Sequence, residues 1–364
     1  MKINHIISVV GLTISVAFAP TSGSAEEFKR PEANAAGIVQ VAPFLMPFSE
    51  FASQEAKKDF IERKAPAVFR NPHLAIADSR KAMDEQVFKP WLVKAKEHYP
   101  GVRMEERTIG GVFTQIFTPA DGVSRKNARR VLINLHGGGF THGALIDSQV
   151  ESIPVASLGR IKVISVDYRM GPEHKFPAAS EDVAAVYREL LKTYRPGDIG
   201  IYGCSAGGRL SGQAIAWFQK KGLPNPAAIG VFCSSLTKSG MGDSAYYTPR
   251  LGGALPAPAG DALAPSAPYM GNWNLDDPIA SPIKSISLLQ KFPPTLFITG
   301  TRSGEMSSAM YSHLALVKAG VDARLFVWDG MDHGFMLDTA FPESREAYDI
   351  VVKFFDEKMD AAHR

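Results

Sequence analysis

From residue 103 onward the apolar positions change period again and again, and each change marks an element. "VRMEERTIGGVFTQIFTP" alternates on both sides of a Gly-Gly pair and predicts a hairpin. Six apolar runs follow: "RVLINLHGGGF", "KVISVDYR", "IGIYG", "AIGVFCSS", "PTLFITG" and "ARLFVWDG". Helix-period segments separate them near 148–159, 178–194, 206–220 and 305–319, and a last one, 343–359, stacks Ala347, Ile350, Val351, Phe354 and Phe355 on one face. Strands separated by helices predict a mostly parallel sheet covered on both sides.

Upstream, residues 26–100 show no convincing strand. "FSEFASQEAKKDFIERKA" and "DSRKAMDEQVFKPWLVKAKEHY" space their apolar residues three and four apart, with Pro66 and Pro72 breaking the chain between them. A helical cap preceding the main domain, 101–364, is the expectation. Between 236 and 294 the strands give way to a Pro- and Gly-rich insertion. A segment of that length and composition in a compact domain is usually a lid or binding loop.

Composition changes this picture little. With 45% hydrophobic and 21% charged residues the chain of 364 residues can bury a sizeable core, and its net charge is +3. The loose basic stretch "RKNARR" reads as a solvated turn, so no nucleic-acid partner is expected. The extreme N-terminus does matter. Lys2, the apolar run "IISVVGLTISVAFA" and the small residues before Glu26 form a secretory signal, cut after Ala25. The run is short of a membrane span. An exported protein, periplasmic or secreted and without stable membrane insertion after cleavage, is therefore expected. The two cysteines, Cys204 and Cys233, make no disulfide framework and read as buried thiols.

Three stretches carry chemistry. "IYGCSAGGRL" fits G-x-S-x-G between a strand and a helix, where glycines two residues either side of Ser205 permit a turn tight enough to expose its hydroxyl. "INLHGGGFTHG" ends a strand with glycines whose N–H groups no side chain blocks. Gly138 and Gly139, joined by the N–H of Ala206, are the candidate oxyanion hole. His136, before those glycines, reads as structural. "VWDGMDHGF" brings His333 just past the last strand, giving the order Ser, acid, His found in α/β hydrolases.

"HGGGF", "DYRMGPEHKFPAA", "GCSAGG" and "GMDHGF", in this order and spacing, resemble the hormone-sensitive-lipase-like family of bacterial esterases and lipases over roughly 105–360. The resemblance implies an α/β-hydrolase fold with a helical cap, hydrolysis of short-acyl esters, and no metal or cofactor. It also implies a supporting role for "DYRMGPEHKFPAA". Two departures stand out. Cys204 occupies a position where many members carry an acid, and Ser303 stands 30 residues before His333, where many carry aspartate.

The expected enzyme is a serine carboxylesterase acting on a small-molecule ester with a short acyl or aryl group. Its triad is Ser205, His333 and Glu305, the last two residues beyond Ser303 and at the start of a helix whose dipole favours an ionised acid. Asp329 and Asp332 are too close to His333 in the chain to reach its far nitrogen easily. Tyr246, Tyr247, Met270 and Trp273, in the insertion, are candidates for lining the substrate pocket. An amidase or deacetylase could use the same triad. A non-catalytic ligand binder could keep the cleft, although loss of the serine or histidine would mark that fate.

Overall fold

Alternation along the inner strands divides their side chains between two cores. In a computed structural model, which describes residues 32–41, 45–63, 74–238, 240–251 and 267–362, eight strands form one sheet in the order β1-β2-β4-β3-β5-β6-β7-β8. They are β1 (Val102–Ile109), β2 (Val112–Pro119), β3 (Val131–Leu135), β4 (Lys162–Val166), β5 (Ile199–Cys204), β6 (Ala228–Phe232), β7 (Thr295–Arg302) and β8 (Ala323–Asp332). The hairpin β1–β2 and the β2–β4 pair are antiparallel, and every other pairing is parallel. Val131, Ile133 and Leu135 join Ile199 and Ile201 in one core, while Leu132, Tyr202 and Cys204 fall in the other, as a period of two requires.

Helices cover both faces. Three precede the sheet: α1 (Gln54–Glu62), α2 (Ile76–Met83) and α3 (Lys89–His98). Within the sheet region come α4 (Asp147–Gly159), α5 (Ala178–Leu190) and α6 (Ala206–Lys221). The insertion carries α7 (Ser244–Leu251), α8 (Ala267–Met270) and α9 (Ile286–Leu289), and α10 (Met306–Lys318) and α11 (Pro342–Ala361) complete the set. The period changes in the sequence thus match the strands and core helices to within a few residues.

Chain order and sheet order differ in a way that makes a site. From β3 the chain crosses to β4 on one side and then to β5 on the other. The carboxyl ends of β3 and β5 therefore splay loops in opposite directions and leave a crevice. The HGGG segment follows β3 and the serine turn follows β5, so both arrive at this crevice.

The expected signal segment, 1–25, and the Pro66–Pro72 break lie outside the described residues. The chain divides into a unit ending at Pro47 and a second beginning at Phe48. In the first, Asn34 Oδ1 accepts the N–H groups of Ala36 and Ile38 at 3.0 and 2.9 Å, closing a turn bridged by Ala33 and Val39. In the second, Ser53 caps α1 by accepting from Ala56 N–H at 3.1 Å and is itself anchored on Glu343. A π-helical turn, Asp84–Phe88, joins α2 to α3, with Lys89 N–H reaching Asp84 C=O. Pro90 brings no N–H to the next carbonyl in line, so a shifted register at this point loses little.

Candidate active site

The turn after β5 is strained, and the surrounding glycines explain how it is tolerated. Ser205 has φ 57° and ψ −117°, a conformation that costs an L-residue on the order of 1–3 kcal/mol. A Cβ on Gly203 would sit 2.1 Å from the Leu135 carbonyl oxygen, and one on Gly207 only 1.7 Å away. Larger residues there would push the turn off β3. With glycine at both places, Ser205 N–H bonds Phe232 C=O at 2.8 Å and the half-buried serine lines a cavity above the sheet.

His333, just past β8, meets that hydroxyl: its Nε2 lies 2.9 Å from Ser205 Oγ. Two residues 128 positions apart are thus within ordinary hydrogen-bond reach. After β3, Gly138 and Gly139 adopt φ 91° and 64°. A Cβ on Gly138 would come within 2.2 Å of His142 C=O, so this loop closes only around glycine. Ala206 opens α6, placing its N–H among the unpaired donors of a helix start. All three candidate oxyanion residues line the same cavity as Ser205 and His333.

The third member of the expected triad is placed differently from the sequence expectation. His333 Nδ1 faces Ser303 Oγ at 3.5 Å, the limit of hydrogen-bond range. Ser303 is fully buried and also accepts Glu305 N–H at 3.3 Å. The Glu305 carboxylate turns instead to the Ser308 hydroxyl at 3.1 Å. Glu305 is the N-cap of α10 in a helical conformation, so its side chain finds that local partner three residues on. It still lines the cavity, where burial lowers the pKa of Arg209 and the Glu305 charge offsets only part of that shift. Asp329 binds the Ser49 and Thr301 hydroxyls, and Asp332 pairs with Arg63. Both of those carboxylates are engaged away from the imidazole.

His136 is structural. It is completely buried, stacks on Tyr168 at 4.3 Å, and its Nδ1 lies 2.8 Å from the Gly137 carbonyl oxygen. Burial holds its pKa down to about 4, so the ring is neutral at pH 7. Tyr168, from the "DYRMGPEHKFPAA" stretch, donates to His136 C=O at 2.7 Å. Gly171 from the same stretch leaves no room for a Cβ, which would stand 2.7 Å from Tyr269 N.

The cavity above the serine has a volume of about 960 Å³. Its apolar wall comes from the cap, with Leu74, Ile76, Met83, Val87, Phe88 and Trp91. Arg80 fastens α2 to the loop beyond the glycines: its Nε donates to Thr141 C=O at 2.7 Å, one Nη to Gly171 C=O at 2.9 Å, and both Nη to Glu173 at 2.8 Å. That fork holds the Glu173 carboxylate down to about 2. Ser79 adds a contact to His142 Nε2 at 2.9 Å.

The insertion residues expected to line the pocket do not do so. Tyr246 is half exposed, and the Tyr247 hydroxyl donates to Thr301 C=O at 3.0 Å. Met270 is buried in the core beside Tyr269. Trp273 packs edge-on against Phe176 and donates to Asp277 at 3.2 Å. Of the insertion's described residues, those after residue 236, only Pro268 reaches the cavity. The aromatic side chains there bind the segment to the core, and the cap helices supply the wall. The signal for the latter was the apolar face of 76–91, which sequence periodicity revealed as a helix face without showing what it faced.

Cys204 and Cys233 are buried free thiols. Among the described residues no group of His, Cys, Asp and Glu side chains could hold a metal ion, and no helix is long and apolar enough to cross a membrane.

The fold and this crevice define an α/β hydrolase, and comparison with known proteins agrees. The family model described as alpha/beta hydrolase fold matches residues 132–337, and the chain belongs to that family. It is 29% identical over 227 residues to an acetyl-hydrolase of Streptomyces hygroscopicus, covering 62% of this chain and 75% of the relative. It is 30% identical to the carboxylesterase/phospholipase LipF of Mycobacterium tuberculosis, covering 65% of this chain and 66% of the relative. A crystal structure of an esterase from the bacterial hormone-sensitive lipase family superposes with a TM-score of 0.72 at 26% identity, over 84% of this chain and 99% of the other. The resemblance drawn from the motifs is borne out.

Proposed function

We propose that the protein is a serine carboxylesterase whose natural substrates are small esters with a short acyl or aryl group. The observation that carries this reading is the 2.9 Å approach of His333 Nε2 to the hydroxyl of a strained serine that lines the cavity beside a glycine loop. Its esterase and acetyl-hydrolase relatives support the ester class. Ser205 Oγ attacks the ester carbonyl as His333 Nε2 takes its proton. The N–H groups of Gly138, Gly139 and Ala206 stabilise the oxyanion, a contribution of about 3–4 kcal/mol per donor in related chemistry. The alcohol leaves with the proton from His333, and water attacks the acyl-enzyme by the same route in reverse.

A fluorophosphonate should abolish hydrolysis across a nitrophenyl ester panel from acetate to palmitate, with the adduct on Ser205. The shorter esters should be turned over fastest. Turnover that persists after the reagent would sink the serine mechanism, and a preference for palmitate would sink the short-acyl assignment.

The N-terminal signal pattern supports an exported enzyme. Mass spectrometry of the protein from its native host should find a chain starting at Glu26. A mature chain starting at Met1 or Lys2 would count against export.

A further inference from the structure

Asp147, in the cavity lining, and Glu151, buried beside it, are two carboxyl groups that the scheme above does not use. Asp147 and Glu151 stand one turn apart at the start of α4, 0% and 2% exposed. Both reach the same donor: Gly137 N–H lies 2.9 Å from Asp147 Oδ2 and 3.0 Å from Glu151 Oε1. Two acid oxygens converging on one N–H set the carboxyls side by side, and a hydrogen bond between them needs a proton, because ionised carboxylates only accept. Glu151 Oε2 accepts Asn134 Nδ2 at 2.8 Å and Cys204 N–H at 3.2 Å. Asp147 Oδ1 is buried and receives no donor among the described residues, a costly arrangement for a charged oxygen. Burial raises both pKa values, and each carboxyl opposes ionisation of the pair.

We propose that Asp147 and Glu151 are positioning residues for ester hydrolysis, sharing one proton that locks the oxyanion loop against the nucleophile turn. Gly137 immediately precedes Gly138 and Gly139, and Cys204 immediately precedes Ser205. One carboxyl pair therefore fixes the residue before each half of the site. Cys204 supplies no carboxylate of its own, and α4 delivers one to its backbone instead. This inference rests on the serine mechanism proposed above.

A pH dependence follows. When hydroxide takes the shared proton as water, the pair becomes a buried dianion. Asp84 faces Asp147 with a further negative charge. The other titratable groups around the pair are His136, Tyr168, Tyr202, Cys204 and Tyr348. Burial keeps the imidazole unprotonated and pushes the phenols up, and interaction with Cys233 together with burial pushes the thiol up, so none offers a compensating positive charge. Repulsion must then part loop and turn or admit water, and turnover falls on the alkaline side.

The test is kcat and KM of the full chain on nitrophenyl acetate, corrected for spontaneous hydrolysis, from about pH 6 to about pH 10. Wild type is compared with Glu151→Gln and Asp147→Asn. The Gln amide keeps an acceptor for Cys204 and a donor for Asp147, and it cannot lose that donor's proton. Wild-type kcat should fall at least about tenfold towards the alkaline end, with KM moving less than about twofold. Glu151→Gln should be slower by about threefold to tenfold near neutrality and then stay flat. Parallel profiles, as a purely packing role predicts, or a wild type with no alkaline fall would overturn the proposal. Should both variants fail to fold, difference infrared spectra of the wild type decide: a protonated-carboxyl band should vanish over the pH range where kcat falls, and its persistence rejects the idea. Failure of Ser205 to label would reject the serine mechanism instead, so the two failures are distinguishable.

Discussion

Ser205→Ala should lower kcat for nitrophenyl acetate by about 10⁵–10⁶, the scale on which a triad nucleophile acts. The nucleophile has no understudy here, since Cys204, beside it in the chain, is buried with its thiol pKa pushed up. His333→Ala should cost a similar factor, because without the imbalance created by a base the hydroxyl remains a poor nucleophile. The double variant should be little worse than either single one, as the two act as a unit. The fold should persist in all three, since each change trims a side chain at the cavity surface and leaves Gly203 and Gly207 to hold the turn. Single-turnover measurements with matched circular dichroism would check this. Retention of more than about a tenth of kcat in folded Ser205→Ala would remove the serine from the mechanism.

Glu305→Gln should lower kcat at least about a hundredfold, approaching the loss of about 10⁴ seen when a triad acid's charge is removed in the chymotrypsin-type template. The argument is electrostatic. When His333 becomes an imidazolium, a charge in the cavity wall stabilises it, and a hydroxyl cannot do so to the same degree. Asp329 and Asp332 are held elsewhere by Ser49, Thr301 and Arg63, while Glu305 lines the cavity beside His333. Ser303 Oγ occupies the position facing Nδ1, while the Glu305 carboxylate is held by the Ser308 hydroxyl in the wall of the same cavity. Ser303→Ala should therefore cost less than about tenfold, the scale of one neutral hydrogen bond. Measured kcat values for the two variants separate the roles. If Ser303→Ala proves the more damaging, the imidazole is held by a hydroxyl and Glu305 serves α10 alone.

The sequence by itself determined the strands and the core helices, and it singled out Ser205 and His333, which the fold brings together. Those features are written in short-range terms: a period of two or of 3.6, and a serine with glycines two residues to either side. Glu305 was legible as an acid in the loop after β7, but not that its carboxylate turns to Ser308 while Ser303 faces His333. Tertiary structure alone decided what faces what. Tyr246, Tyr247, Met270 and Trp273 have the composition of a pocket wall, yet Tyr247 is held by Thr301, Trp273 packs on Phe176, Met270 is buried in the core and Tyr246 stays half exposed, while cap residues such as Ile76, Val87 and Trp91 line the cavity instead. The pairing of Asp147 with Glu151 was likewise hidden. Two acids four apart on a helix usually mark a solvated face, and only the packing of α4 against β2, β3 and β4 turns them inward to meet Gly137 and Cys204. Periodicity says that an element has a face, but the partner across that face is set by contacts between residues far apart in the chain, whose geometry no local pattern encodes.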